Sequence, residues 1–120
     1  IDTFQNAPLI DLIFSTDNNS LVVATENDVK IWNLENNSSK SIDNRYRIKS
    51  NKISAIALSP SNNKMAVGDK EGFIKVFDIK SGSLLKNFDG GKKINDLVFD
   101  EAGSKLATGS NDGQIYILNF

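Results

Sequence analysis

The fold is decided by the stretch Ile94–Phe99 (INDLVF), which is followed by residues 106–109 (LATG) and 115–118 (IYIL). Three segments with a similar apolar pattern occur 41 residues earlier, without a gap. They are Ile53–Leu58 (ISAIAL), 65–68 (MAVG) and 74–77 (IKVF). An internal repeat of this kind has to be found first, because it determines the architecture of the whole chain.

A looser third copy lies nearer the N-terminus, at Leu9–Phe14 and residues 21–24, 44 residues ahead of the middle copy. The pair Ile31-Trp32 lies 45 residues ahead of Val76-Phe77, so the turn Glu26-Asn27-Asp28 is one residue shorter than its counterparts. A period of about 40–45 residues is typical of propeller blades and differs from that of helical repeats.

The pattern within each copy predicts β-strands joined by hairpins. Polar turn formers separate the apolar runs, and no segment carries the spacing of an amphipathic helix. The first strand is apolar almost throughout, the second mixes large with small residues, and the third alternates. A more polar stretch at 83–88 is typical of an outer edge. We therefore expect an all-β chain whose four-stranded antiparallel units are propeller blades.

These residues resemble WD40 repeats, most strongly over 94–118, well over 53–78 and more weakly over 9–33. The chain contains no His, so it lacks the Gly-His pair of the family and the buried Asp–His–Ser/Thr–Trp network. The resemblance implies a β-propeller, a scaffold for protein–protein or peptide binding, whose blades here depend more on apolar packing.

The repeat predicts one partial propeller in a staggered frame. It divides into an outer strand of an adjoining blade (1–7), a blade (8–50), a second blade (51–92) and a blade lacking its outer strand (93–120). Three blades are too few to close a ring, so the two end faces should expose apolar patches. Two interpretations stay open: a segment of a larger propeller, or a half-propeller of which two copies close a six-bladed ring.

The amino-acid composition argues against several classes of function. The 120 residues include no Cys and no His, and their formal net charge is −1. Disulfides, zinc, the usual general base and a thiol nucleophile are therefore absent, and we expect no enzyme, no metal and no cofactor. The balanced charge argues against nucleic acid as a partner. The sequence shows neither a signal peptide nor an apolar run that could span a membrane, and we predict a cytoplasmic protein.

The strongest local charge feature is the segment 40–52, with five basic residues and an embedded Tyr46. A phosphate or RNA site is one interpretation, but alternating charge on an outer strand explains the segment better. Acidic residues in the turns suggest calcium, yet no Asp-x-Asp-x-Asp-Gly loop occurs. Trp32, at the end of a third strand, is predicted to belong to the core.

In a propeller, the turns between second and third strands share one face with the connectors that open each blade. The candidate partner-binding residues on that face are Glu26, Asn27, Asp28, Lys49, Lys52, Asp69, Lys70, Glu71, Lys92, Lys93, Asn111 and Asp112. We expect charge reversal at Asp69 or Lys70 to weaken partner binding without changing stability. The alternative is an engineered or excised half-propeller without a natural ligand, whose property is self-assembly, with a homodimer preferred.

Overall fold

The computed structural model describes residues 8–26, 28–34, 38–41, 52–61, 63–79 and 81–120. All regular secondary structure in these ranges is β-strand. The strands are β1 (Leu9–Phe14), β2 (Ser20–Thr25), β3 (Val29–Asn33), β4 (Ser38–Ser41), β5 (Ile53–Leu58), β6 (Lys64–Asp69), β7 (Phe73–Asp78), β8 (Leu84–Asp89), β9 (Ile94–Phe99), β10 (Lys105–Ser110) and β11 (Ile115–Asn119).

The strands form three antiparallel sheets in which neighbours in sequence are neighbours in space. We call them blade 1 (β1–β4), blade 2 (β5–β8) and blade 3 (β9–β11). The predicted all-β architecture of antiparallel blades is thereby confirmed, with four described strands in blades 1 and 2 and three in blade 3. The predicted outer strand at 1–7 lies outside the described residues, and the exact blade boundaries stay predictions.

Each blade has two faces because side chains alternate along a strand. The first face of blades 2 and 3 packs against the preceding blade, and the second face of blades 1 and 2 packs against the following one. Blades 1 and 2 enclose one buried cluster: Val22, Ala24, Val29, Ile31, Ile53, Ile56, Met65, Val67 and Phe77. Blades 2 and 3 enclose another: Ala55, Ala57, Ala66, Ile74, Val76, Ile94, Leu97, Phe99 and Leu106. Trp32 is half-buried.

The small residues of the second strand set how closely the blades approach. A Cβ atom added to Gly68 in β6 would lie 2.7 Å from Ile94 Cγ2 and 2.8 Å from Ile94 Cβ. Carbon atoms pack at about 3.5–4.0 Å, so only a glycine leaves room for Ile94 at this point. Ile94 is itself fully buried. Gly68 is therefore a socket in blade 2 that receives a side chain from blade 3.

Polar side chains, buried in blades 1 and 2 and half-buried in blade 3, hold the turns between first and second strands. Ser15 and Ser59 occupy equivalent buried positions, and their Oγ atoms accept the backbone N–H of Ser20 and Lys64, each at 3.0 Å. In blade 3, Asp100 takes this position, and its Oδ1 accepts the N–H of Lys105 at 3.0 Å. Each turn thus satisfies a backbone donor that would otherwise lie unpaired at the sheet end.

Thr108 is a polar residue in the core, and its replacement tests how much its buried hydroxyl group costs in stability. It is buried in β10, and its Oγ1 has no hydrogen-bond partner among the described residues. Valine stands at the equivalent positions, Val23 and Val67. Because a buried, unsatisfied hydroxyl is costly and valine has nearly the same shape, we expect Thr108→Val to raise the free energy of unfolding by about 1 kcal/mol in a urea titration.

The matched control is Thr25→Val in blade 1. Thr25 is equally buried, but its hydroxyl donates to the carbonyl oxygen of Asp28 at 3.4 Å. The control should therefore lose stability. A Thr108→Val variant that is destabilised as much as the Thr25→Val variant would show that the Thr108 hydroxyl is satisfied.

Candidate functional site

The predicted binding loops lie along one end of the blades and are tied together through their backbones. Lys70 donates its N–H to the carbonyl of Lys52 at 2.9 Å, and Asn111 repeats this bond to Lys93 at 2.8 Å. Ile53 donates to the carbonyl of Glu26 at 2.7 Å, which joins blade 1 to blade 2. We call this end the turn face: the turns after β2, β6 and β10, with the connectors that precede β5 and β9.

Glu26 forms ion pairs across the junction of blades 1 and 2. Its Oε1 lies 3.0 Å from Lys70 Nζ, and its Oε2 lies 3.3 Å from Lys52 Nζ. Both lysines are exposed, whereas Glu26 is half-buried between them. The hydrogen bond from Lys70, and secondarily that from Lys52, lowers the pKa of the Glu26 carboxyl below its ordinary value of 4.5. The structure therefore brings together three of the predicted candidates.

This ion-pair group predicts a pH-dependent contribution to stability. Folding lowers the pKa of Glu26, so the stabilisation is present above about pH 4.5 and is lost as pH falls through the lower folded value. We expect Glu26→Gln to be less stable than the parent at pH 7. The difference should shrink below pH 4.5 and also decrease with added salt.

Urea titrations of both proteins across this pH range measure the effect. Glu71→Gln, a change at an exposed position of the same face, is the matched control and should follow the parent. A stability difference for Glu26→Gln that stays constant down to the acid transition would contradict a role for its charge.

The structure corrects the prediction for Asp69. Its side chain is 0% exposed, and its Oδ1 accepts the backbone N–H of Glu71 and of Phe73, each at 2.9 Å. The carboxylate therefore closes the turn instead of facing a partner. Equivalent positions in the other blades hold Thr25 and Ser110, which are also buried. Asp69 therefore stabilises the backbone of a turn on the turn face, and its buried side chain is not one of the contact residues of that face.

The expected effect of changing Asp69 is corrected accordingly. Asp69→Ala removes a buried acceptor that two part-buried backbone N–H groups, those of Glu71 and Phe73, share, so we expect it to lower the free energy of unfolding by about 1–3 kcal/mol. Thermal or urea unfolding checks this expectation. Lys70→Ala, at the exposed neighbouring position, should cost less because surface ion pairs contribute little. Equal losses for the two variants would refute the distinction.

The remaining described candidates differ in how free their side chains are. Asp112 is exposed, but its Oδ1 accepts the Ser110 hydroxyl and, at 3.1 Å, the N–H of Gln114. These bonds, the Ser110 bond first, lower the pKa of Asp112. Asp28 is half-buried and caps the N–H of Val29 at 2.9 Å. The other exposed candidates outside the Glu26 group are Glu71, Lys92, Lys93 and Asn111, and the Asn111 Oδ1 accepts a hydrogen bond from Asn95 Nδ2 at 3.5 Å.

The connector with the two lysines is held in place by glycine. Gly72 has a φ of +101°, and an added Cβ would lie 2.7 Å from both the N and the O atom of Lys92. Gly90 donates its N–H to the carbonyl of Gly72 at 2.7 Å. A side chain at position 72 would therefore strain the turn and push the connector away. Lys92 and Lys93 thus project from a fixed backbone.

Phe73 belongs to the turn face, although it is not among the predicted candidates. It is exposed, and it pairs with Asp89 at the end of β8 nearest the turn. Its place in the sequence could have indicated it, because Phe73 is the first residue of β7 and directly follows the turn after β6. An exposed aromatic ring among charges is a common contact residue in protein interfaces.

Several predictions fall partly or wholly on undescribed positions. Asn27 and Lys49 lie outside the described residues, as does most of the basic segment 40–52. Within the described ranges, no cluster of three or more acidic side chains has metal-binding geometry. No helix in those ranges is long and apolar enough to cross a membrane.

The repeated antiparallel meanders of three or four strands, stacked face to face, define a β-propeller of the WD40 type. Such propellers are generally scaffolds for protein interaction. Within this class, the sequence profile described as NUP159/214 beta propeller matches residues 2–120, and the chain belongs to that family.

Known proteins with similar sequence or structure agree with the fold. The target of rapamycin complex subunit wat1 of Schizosaccharomyces pombe is 25% identical over 104 residues, which cover 87% of this chain and 33% of wat1. The structure of U3-55K superposes with a TM-score of 0.85 at 20% identity, over 98% of this chain and 37% of that one. The RRP9 WD40 repeats give 0.84 at 19% identity, with the same coverage.

The chain spans about a third of the length of these relatives. The hydrazine synthase of Kuenenia stuttgartiensis also shares the fold, with a TM-score of 0.80 at 14% identity, over 99% of this chain and 36% of that one. Because one fold here accompanies such different proteins, the structural similarity defines architecture alone.

Proposed function

We propose that the chain is a non-enzymatic scaffold that binds a protein or peptide through its turn face. The observation that carries this proposal is a set of exposed, mixed-charge side chains on turns whose backbones are bonded to one another. A loop whose backbone is already fixed before binding loses little conformational entropy when a partner docks. The general role of WD40 propellers and the place of wat1 as a complex subunit support the same function.

The chemistry of the face favours a partner segment of mixed charge with an apolar side chain. Glu71 and Lys93 are exposed and have opposite charges, and Phe73, two residues after Glu71, adds an exposed apolar side chain. Lys52 and Lys70 are already paired with Glu26, so a partner would have to replace those contacts. The exposed charges are therefore expected to contribute orientation and specificity, and Phe73 most of the apolar contact.

Charge reversal on the turn face tests this proposal. We expect Glu71→Lys and Lys93→Glu to weaken partner binding at least tenfold, with unfolding curves that match the parent. Partners are identified by cross-linking to the parent chain, and affinities are then measured with the purified partner. Reversal at Glu101 and Lys105, which are exposed at the opposite end of blade 3, is the control. Binding that survives every turn-face reversal would disprove the proposed face.

A second candidate function is self-assembly of a closed ring from two copies. The observation in its favour is the pair of apolar end faces exposed by blades 1 and 3. The chain would then form a homodimer of about twice 13.2 kDa in light scattering coupled to size exclusion. A monomeric mass at all concentrations would rule out this function and would leave the turn-face proposal intact. The predicted cytoplasmic location stays a prediction.

A further inference from the structure

Two positions of the turn face repeat from blade to blade. The first opens the turn after the second strand and holds Glu26, Lys70 and Asn111. The second directly precedes the first strand and holds Lys52 before β5 and Lys93 before β9. The same backbone bond joins the two positions in both blades, from Lys70 N–H to the Lys52 carbonyl and from Asn111 N–H to the Lys93 carbonyl. The second junction, between blades 2 and 3, therefore repeats the backbone arrangement of the first junction, between blades 1 and 2.

At the first junction a carboxylate lies between these positions. Glu26 of blade 1 reaches across to blade 2, with its Oε1 3.0 Å from Lys70 Nζ and its Oε2 3.3 Å from Lys52 Nζ. Each carboxylate oxygen thus contacts one ammonium group, and the Glu26 side chain is only 18% exposed. The chain itself therefore shows which chemical group this arrangement accepts.

At the second junction the chain supplies the donors but no carboxylate at the position of Glu26. The residue equivalent to Glu26 is Lys70, and its ammonium group donates back to Glu26. The residues equivalent to Lys52 and Lys70 are Lys93 and Asn111, which are both exposed. In the part of the chain that the structure describes, Lys93 forms no ion pair and Asn111 Nδ2 donates no hydrogen bond. Two donor side chains thus lie where their counterparts at the first junction hold a carboxylate.

The acidic side chain in the turn after β10 is held by that turn. The Oδ1 of Asp112 accepts the Ser110 hydroxyl and, at 3.1 Å, the N–H of Gln114. The Ser110 bond first, then the Gln114 bond and more weakly the charge of Lys92 lower the pKa of Asp112. Lys92 therefore stabilises an acid of the chain itself, whereas Lys93 remains available to an acid of a partner.

We propose that the second junction binds a carboxylate of an acidic peptide segment, an Asp or Glu side chain of the partner, through Lys93 Nζ and Asn111 Nδ2. This inference rests on the proposed function and specifies the chemistry of one contact on the turn face. The carboxylate accepts one hydrogen bond from each donor, as Glu26 does from its two lysines. Lys70 keeps its bond to Glu26, so binding at the second junction leaves the first junction intact.

A pentaglutamate peptide with blocked ends tests the site without the natural partner. Titrated into the isotope-labelled chain at low salt, it should shift the amide NMR signals of Lys93 and Asn111 most strongly. Pentaglutamine is the matched peptide and should not shift them, and the blocked ends exclude binding through a terminal carboxylate. We expect Lys93→Gln to weaken the affinity about fivefold, because it removes one charged contact. Lys92→Gln removes the same charge from the same connector and should weaken the affinity less than about twofold.

A variant that gains affinity tests the comparison between the two junctions. Asn111→Lys gives the second junction the two lysines of the first, so pentaglutamate should bind about threefold more tightly. Lys105→Gln, which changes an exposed lysine at the opposite end of blade 3, is the control and should match the parent. Circular dichroism and urea unfolding check that each variant is folded.

Three results would overturn the site. They are the absence of shifts at Lys93 and Asn111, equal losses for Lys92→Gln and Lys93→Gln, and an affinity that Asn111→Lys does not raise. Each would leave the turn-face proposal intact, because Glu71→Lys tests that proposal independently with the natural partner. Partner binding that survives every turn-face reversal, Lys93→Glu included, would overturn both proposals.

Discussion

Ile74→Ala is expected to lower the free energy of unfolding by about 2–5 kcal/mol, while Ile115→Ala, the same change one blade later, leaves it within about 0.5 kcal/mol. Ile74 is 1% exposed between blades 2 and 3, whereas Ile115 is 75% exposed. The two residues occupy equivalent positions in β7 and β11. Their side chains have the same intrinsic strand preference. The difference in unfolding free energy between the two variants therefore measures the effect of the blade that covers Ile74.

Urea titrations at low protein concentration, where the single chain is the species compared, measure both values. At higher concentration the Ile115 variant should weaken association instead, because the proposed second copy would bury this side chain. A loss of several kcal/mol for Ile115→Ala in the isolated monomer would mean that another part of the same chain covers blade 3. Equal small losses for both variants would contradict the buried junction between blades 2 and 3.

The fold could be predicted from the sequence because one period carries most of the information. The spacing of 41 residues between Ile53 and Ile94 places every strand of blade 3 on its counterpart in blade 2. Alternation within β7 then assigns Ile74 and Val76 to the core, where the structure has them. The alternation of apolar residues within the strands and the repeat along the chain indicate the same fold, and this agreement makes the fold predictable from the sequence.

The position of the turn face could be predicted for the same reason, but the role of Asp69 could not be predicted from its charge. Asp69 and Asp112 both look like surface carboxylates, yet they occupy different positions of equivalent turns. The residue equivalent to Asp69 is Ser110, and in blade 1 it is Thr25, all three buried. Small polar residues at every copy of a position indicate a turn that needs a hydrogen-bond acceptor or donor.

The ion pairs of Glu26 depend on how two blades pack together. The distance between Glu26 and its two lysines cannot be derived from their separation along the chain. Lys70 is 44 residues away from Glu26, and Lys52 belongs to a connector of the following blade. Their contact follows from the packing of the apolar cluster between blades 1 and 2, which fixes the separation of the turns. Charge pattern alone could therefore place all three residues on one face without pairing them.

Gly68→Val is expected to cost about 3 kcal/mol of unfolding free energy, among the largest effects of any single substitution in the chain. The new Cβ would lie 2.7 Å from Ile94 Cγ2 and 2.8 Å from Ile94 Cβ, both far inside normal contact. The Cβ of Ile94 is bonded to the backbone and does not move with the rotamer, so a rotamer change cannot relieve the overlap. The two sheets have to separate, and the separation removes burial along their whole junction.

Gly109→Val is the control that isolates this cause, because it adds the same side chain at the equivalent position of β10, where the added Cβ has no atom of the described residues within 4 Å. In the monomer it should be neutral or slightly stabilising, since valine prefers strands more than glycine does. Ile94→Ala removes Cγ1 and Cγ2 but keeps Cβ, so Gly68→Val should cost less in that background than in the parent, although part of the cost remains. If both glycine variants lose the same stability, backbone flexibility and not the fit of Ile94 determines the cost, and the socket at the blade junction is disproved.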